Sequence, residues 1–163
     1  MTRAADIFER LKEDHDRHRR LLDRLQQAGT EGEERRRLFE ELTIELKSHA
    51  AAEEQALYST MMRKPETTDE TRHSVAEHHA IEVALNDLAA TDMAADDWAG
   101  KLGALSHDYL HHIEEEEDEH FPDFAQYLTQ ADEEHMREVF ERRKQAEAAH
   151  AHVTPERKED AKE

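Results

Sequence analysis

The sequence predicts an all-α protein, an antiparallel up-down four-helix bundle with an additional C-terminal helix. Three observations carry this. Glycine and proline are scarce, four and three in 163 residues, while helix-forming Ala, Glu, Leu, Arg, Lys and Gln abound. Apolar residues recur at steps of three and four in several long segments, the spacing of one helix face. The pattern also occurs twice: a shift of 63 residues superposes its landmarks without a gap.

The first helix is expected over about 4–28, ending at Ala28-Gly29, with the stripe Ile7, Leu11, His15, His18, Leu22, Leu25. The second is expected over about 32–62, stopping before Pro65, with Leu38, Leu42, Leu46, His49 and Glu53 in line. The third spans about 68–90, with Thr68 or Asp69 as N-cap and the stripe His78, Ile81, Leu85, Leu88. The fourth spans about 95–119 and stops before Pro122, with Leu102, Leu105, Tyr109, His112 and Glu116 aligned. A fifth, from about Asp132 to His150, offers only Met136, Val139 and Phe140, so it packs outside the bundle or frays. Residues 1–128 thus form the bundle and 129–152 the extra helix, and 153–163 form a charged, disordered tail.

Forty-one acidic against 22 basic residues give a net charge of −19. Phosphate contacts need a basic surface, so nucleic acid and anionic membrane are excluded as partners. No cysteine is present, hence no disulfide and no thiolate metal site. No apolar leader or run of about 18 apolar residues occurs, so a soluble, cytoplasmic chain is expected, a monomer or weak homodimer. Nor is there a glycine-rich phosphate loop or nucleophile elbow.

Histidine is the outlier, with 13 residues. His49 and Glu53 are four apart and so share a helix face, as do His112 and Glu116; both pairs continue leucine stripes. The shift of 63 places His15 on His78, His49 on His112 and Glu53 on Glu116. Hairpin registers bring these levels together at about 1.5 Å per residue. Unpaired buried carboxylates cost several kcal/mol, which a metal pair offsets. Imidazole with carboxylate suits iron, manganese or zinc, and two carboxylates able to bridge favour two ions. The candidate metal ligands are therefore His15, His49, Glu53, His78, His112 and Glu116. Of adjacent His111 and His112, the second is the ligand, and His111, Glu115 and Asp118 face solvent. His18 is read as a packed core histidine in preference to a fifth ligand, and Tyr58 as packing. Glu54 and Glu117 are outer acceptors, occasional ligands or simply exposed. His73, His79, His107, His120, His135, His150 and His152 fall off the stripes.

The series His15, His49-x3-Glu53, His78, His112-x3-Glu116, with the acidic-then-aromatic segments "EEQALYS" and "EEDEHFP", resembles the hemerythrin-like, or HHE cation-binding, family over roughly residues 4–125. The resemblance implies two iron ions in an oxo- or hydroxo-bridged centre, with Glu53 and Glu116 as bridges. Oxygen-carrying members have a second histidine one turn from the third-helix ligand, whereas this chain has Ser74 and Glu82 at those positions. It is thus similar to bacterial relatives associated with peroxide breakdown, nitric oxide handling or iron and oxygen sensing. The implied function is a non-haem di-iron protein that binds or reacts with O2, peroxide or NO, including catalase-like turnover. An iron or oxygen sensor without turnover and a metal-free structural bundle remain the alternatives.

Overall fold

The Asp6 side chain accepts the Glu9 N–H at 2.8 Å and so opens helix α1 (Ile7–Gln27). The computed structural model describes residues 6–28, 32–151 and 155–156. Helix α2 (Glu33–Glu53) follows Gly32, whose φ of 100° lies in the left-handed region that glycine enters without a Cβ clash. Its winding then widens into a π turn over Glu54–Tyr58 and resumes over Ser59–Met61. Helix α3 (Thr68–Ala89) begins after Thr67, not after the expected Thr68 or Asp69. The threonine hydroxyls point backwards instead. Thr67 donates to Met61 O at 2.7 Å and Thr68 to Lys64 O at 2.8 Å, satisfying carbonyls left free where the preceding helix ends.

Helix α4 (Asp96–Glu115) runs past its expected stop. It passes through a second π turn, Glu116–His120, into Phe121–Ala125. Pro122 is tolerated because it falls in the first positions of the segment after the widened turn, where a missing N–H removes no required helical bond. Trp98 anchors the start of α4, donating from Nε1 to Leu88 O at 3.2 Å beneath the Arg35 guanidinium. Helix α5 (Gln130–His150) starts two residues before the expected Asp132. Thr129 caps it, and Asp132 is the third residue of a reciprocal capping box, its carboxylate accepting the Thr129 N–H at 2.9 Å.

The four long helices α1–α4 form the bundle, with no strand among the described residues. Helix α5 does not fray but packs on the outside of the bundle, along α2 and α1, with Met136 and Phe140 buried. The tail lies outside the described residues except for Pro155 and Glu156; the Glu156 N–H donates to Asn86 O at 2.9 Å. No helix among the described residues is long and apolar enough to cross a membrane. The apolar core has two clusters. One gathers Leu22, Leu25, Leu38, Leu42, Leu85, Leu88, Trp98 and Leu102 towards the α1–α2 and α3–α4 turns. The other gathers Ile7, Leu11, Leu57, Met61, Phe121, Phe124 and Phe140 at the opposite end. Each such side chain contributes about 1.5–3 kcal/mol by leaving water. Between the clusters lies a layer of buried ionisable groups.

Candidate metal centre

That layer brings together all six candidate ligands, one or two from each helix of the bundle. His15, Glu53 and Glu116 are fully buried, His49 and His112 nearly so, and His78 is the most exposed at 8%. Each imidazole directs Nε2 towards the centre. His78 Nε2 lies 3.1 Å from Glu53 Oε1, and His112 Nε2 lies 3.1 Å from Glu116 Oε1. His49 Nε2 lies 3.6 Å from Glu53 Oε1, and His15 Nε2 lies 3.5 Å from Glu116 Oε1. The donors of Glu53, His78, His112 and Glu116 fall within 4.8 Å of one another, as do those of His15, His49 and Glu53.

The other nitrogen of every ring meets a carboxylate. His15 Nδ1 pairs with Glu117 at 2.7 Å, His49 Nδ1 with Asp14 at 2.8 Å, His78 Nδ1 with Glu54 at 3.0 Å and His112 Nδ1 with Glu77 at 2.8 Å. A carboxylate on Nδ1 fixes the ring's orientation and leaves a lone pair on Nε2, the arrangement a metal-binding imidazole needs. The four carboxylates follow the repeat: Asp14 and Glu77 are mates at a shift of 63, and so are Glu54 and Glu117. Glu54 and Glu117 thus act as outer acceptors. Asp14 and Glu77 were not among the candidates, although the sequence carried a signal, an acid directly before the single histidine in both copies.

Tyr58 does more than pack: its buried hydroxyl donates to Glu116. Its mate in the second copy is Phe121, which stacks on His15 with centroids 6.0 Å apart. His18 is a core histidine with both nitrogens engaged, Nδ1 with the Tyr109 hydroxyl at 2.6 Å and Nε2 with Glu45 at 3.1 Å. His120, expected off the core, is buried, because the second π turn rotates it inward. Glu115 is half-buried and paired with His73, not turned to solvent as expected, whereas His111 is exposed.

The charges settle within the cluster. Burial and the neighbouring Glu116 push the Glu53 carboxyl well above its usual range. Burial opposes the charge on Glu116 too, but His112 outweighs it and holds Glu116 well below the usual range. In the same way Glu116 and Glu77 overcome burial at His112 and raise it to about 9. Burial lowers His49 to about 3 against the pull of Asp14, so that ring is neutral. Burial, Glu116 and Glu53 raise the Tyr58 hydroxyl well above its ordinary value.

The residues fit a cation on one further observation. His15 Nε2, His49 Nε2, His112 Nε2, both Glu53 oxygens and Glu116 Oε1 are buried without a hydrogen-bond partner among the described residues. Buried polar atoms are nearly always satisfied, and six convergent exceptions of metal-ligand type are what an ion would satisfy. A cleft of about 770 Å³ between α2, α3 and α5 reaches His49 and His78, with Ala50, Ala51 and Val75 among its walls and Arg143 and Glu147 of α5 on its rim.

Comparison with known proteins agrees. The profile of the hemerythrin HHE cation-binding domain matches residues 6–124. The chain belongs to this family. Helix α5 lies beyond the matched HHE domain. The fold is also similar to the crystal structure of a hemerythrin HHE cation-binding domain-containing protein from Mycobacterium kansasii, a homologue of Rv2633c, with 25% identity, a TM-score of 0.80 and 90% of each chain covered. No curated protein matches the chain. As an HHE domain it is a cation-binding protein.

Proposed function

We propose that this HHE domain holds two iron ions, with His15, His49, His78 and His112 as terminal ligands and Glu53 and Glu116 as bridges. Such a centre would bind or react with O2, peroxide or NO, with a catalase-like or stress-related redox role. The observation that carries this reading is the set of six convergent, buried, unsatisfied donors. Imidazole and carboxylate without thiolate suit iron, and bundle interiors with carboxylate pairs are where di-iron centres are built.

Bound iron would supply one-electron redox chemistry and Lewis acidity. The chain's own part is positioning and proton control. Asp14, Glu54, Glu77 and Glu117 hold the four rings by Nδ1. Tyr58 keeps a proton on its hydroxyl, donated to Glu116. The apolar clusters on either side exclude bulk water, and the cleft admits a small molecule at His49 and His78.

The test is metal analysis with a visible spectrum, followed by oxygen evolution from hydrogen peroxide. Two irons per chain and peroxide-dependent oxygen release are expected, both lost in Glu53→Ala and Glu116→Ala. Turnover unchanged in those variants would overturn the assignment. A second reading, an iron or oxygen sensor, is favoured by one contact: Lys144 of α5 reaches Asp14, which holds His49, so occupancy is linked to a helix outside the HHE domain. Stoichiometric iron without turnover would select that reading.

A further inference from the structure

The two hairpins repeat, but their outer faces do not. On the first, α5 packs over α1 and α2, with Phe140 5.1 Å from the Arg10 guanidinium, and the positions Arg10, Leu11, Ala52 and Leu57 are a cation and three apolar residues. Their mates, 63 residues on, are His73, Ser74, Glu115 and His120. A face built for a packed helix in one copy is built from imidazole, hydroxyl and carboxylate in the other.

These side chains converge. Ser74 Oγ holds His120 Nδ1 at 3.1 Å, which aims Nε2 at Glu115 Oε1, 3.3 Å away. The His120 side chain is only 7% exposed. The same Glu115 oxygen lies 3.0 Å from His73 Nε2. Glu115 and His120 are five residues apart, which regular α-winding would separate by about 140° around the helix. The π turn Glu116–His120 brings them together, and such turns cluster at functional sites. Two sets of donors, His73 with Glu77 and Glu115, and His120 with Glu115 and Glu119, each fall within 4.8 Å and share Glu115.

The first copy shows what a carboxylate in this position takes. Asp14, the mate of Glu77, holds the Lys144 ammonium at 2.8 and 2.9 Å. On the second face Glu77 turns its free oxygen to His73 at 3.4 Å. One imidazole and two carboxylates in each set, with both imidazole Nε2 atoms on the same Glu115 oxygen at 3.0 and 3.3 Å, offer donors for a borderline divalent ion such as zinc.

We propose that Glu115, with His73 and Glu77 on one side and His120 and Glu119 on the other, holds a second divalent cation of the zinc class on the α3–α4 face, separate from the buried centre. Glu77 touches both sites, through His73 on one side and His112 on the other.

The experiment is equilibrium dialysis of the full-length, iron-loaded chain against Zn2+, with zinc and iron counted in the same sample. The native chain should take up one more equivalent of zinc than His73→Ala/His120→Ala, at equal iron content. His73→Ala alone, at an exposed position, and Glu115→Gln should each show the same loss while circular dichroism confirms an intact helical fold. Equal zinc uptake by native and variant chains would overturn the proposal, since binding would then be scattered over the acidic surface. A fault in the buried-centre reading would show separately, as iron missing from native and variant alike.

Discussion

Replacing Lys144 by methionine removes one charge and little volume. Lys144 Nζ donates to both Asp14 oxygens, at 2.8 and 2.9 Å, and to Glu45 at 3.2 Å, in a side chain 13% exposed. Asp14 is 4% exposed and also holds His49. Removing one partner of a buried pair costs about 3–5 kcal/mol because the other charge is stranded. Two features reduce this: Arg10 remains on Asp14 at 2.6 Å, and Glu45 keeps His18. The expected loss for Lys144→Met is therefore about 2–3 kcal/mol. For a domain of this size that corresponds to a fall in Tm of about 5–10 °C.

The pH dependence follows from the same contacts. Burial raises both carboxyls, but His49 and Lys144 hold Asp14 far below its ordinary value, and His18 and Lys144 hold Glu45 at about 2. A carboxyl lower in the folded than in the unfolded state stabilises above its unfolded pKa, about 4, and loses that contribution as pH falls towards the folded value. Lys144→Met should thus cost most near pH 7 and progressively less towards pH 2. Urea unfolding of the metal-free protein at pH 7, 5 and 3, followed by circular dichroism, measures both effects. A loss below about 0.5 kcal/mol at pH 7, the range of a surface pair, would refute the account.

Tyr58→Phe should cost the metal-free protein about 1.5–3 kcal/mol in the same assay, because a buried carboxylate loses its charge-assisted donor; an unchanged midpoint would show that Glu116 is satisfied otherwise. Cation uptake near pH 7 should release up to two protons per chain, from Glu53 and His112, both raised in the free cluster. Calorimetry in two buffers of different ionisation enthalpy counts them, and no difference between buffers would contradict the charge assignment. Glu117→Ala should weaken metal affinity by about 10–100-fold with the fold intact, since His15 Nδ1 loses its acceptor. Competition with a chelator reads this, and an unchanged constant would mean His15 is held by packing alone.

The bundle and its inward-facing layer were legible because both rest on helical periodicity: His49, Glu53 and His112 precede the π turns, and Glu116 only opens the second. Legibility fails just after each glutamate. Both π turns begin directly after the His-x3-Glu pairs or within them, at Glu54 and Glu116, and each shifts the phase of the residues beyond it. A single period therefore misplaced His120, read Tyr58 as packing and ended α4 at Pro122; Glu115, ahead of the turn, is held instead by His73 and His120. Asp14 and Glu77 were missed for a different reason. They reach the site through a histidine on the partner helix, and spacing along one helix carries no record of such a contact.

The division of the apolar core has a consequence for cooperativity. Trp98 and the leucines of one cluster and Phe121, Phe124 and Phe140 of the other are separated by His15, His49, Glu53, His112 and Glu116. Apolar contacts transmit stability between neighbours, whereas a layer of unsatisfied ligands transmits little. Without a cation, the two ends of the bundle are joined by helix backbone and by carboxylate–imidazole bonds such as Asp14–His49 and Glu77–His112, a looser coupling than a continuous apolar core provides. A cation held by residues from all four helices would tie the ends together, so its arrival should sharpen the unfolding transition.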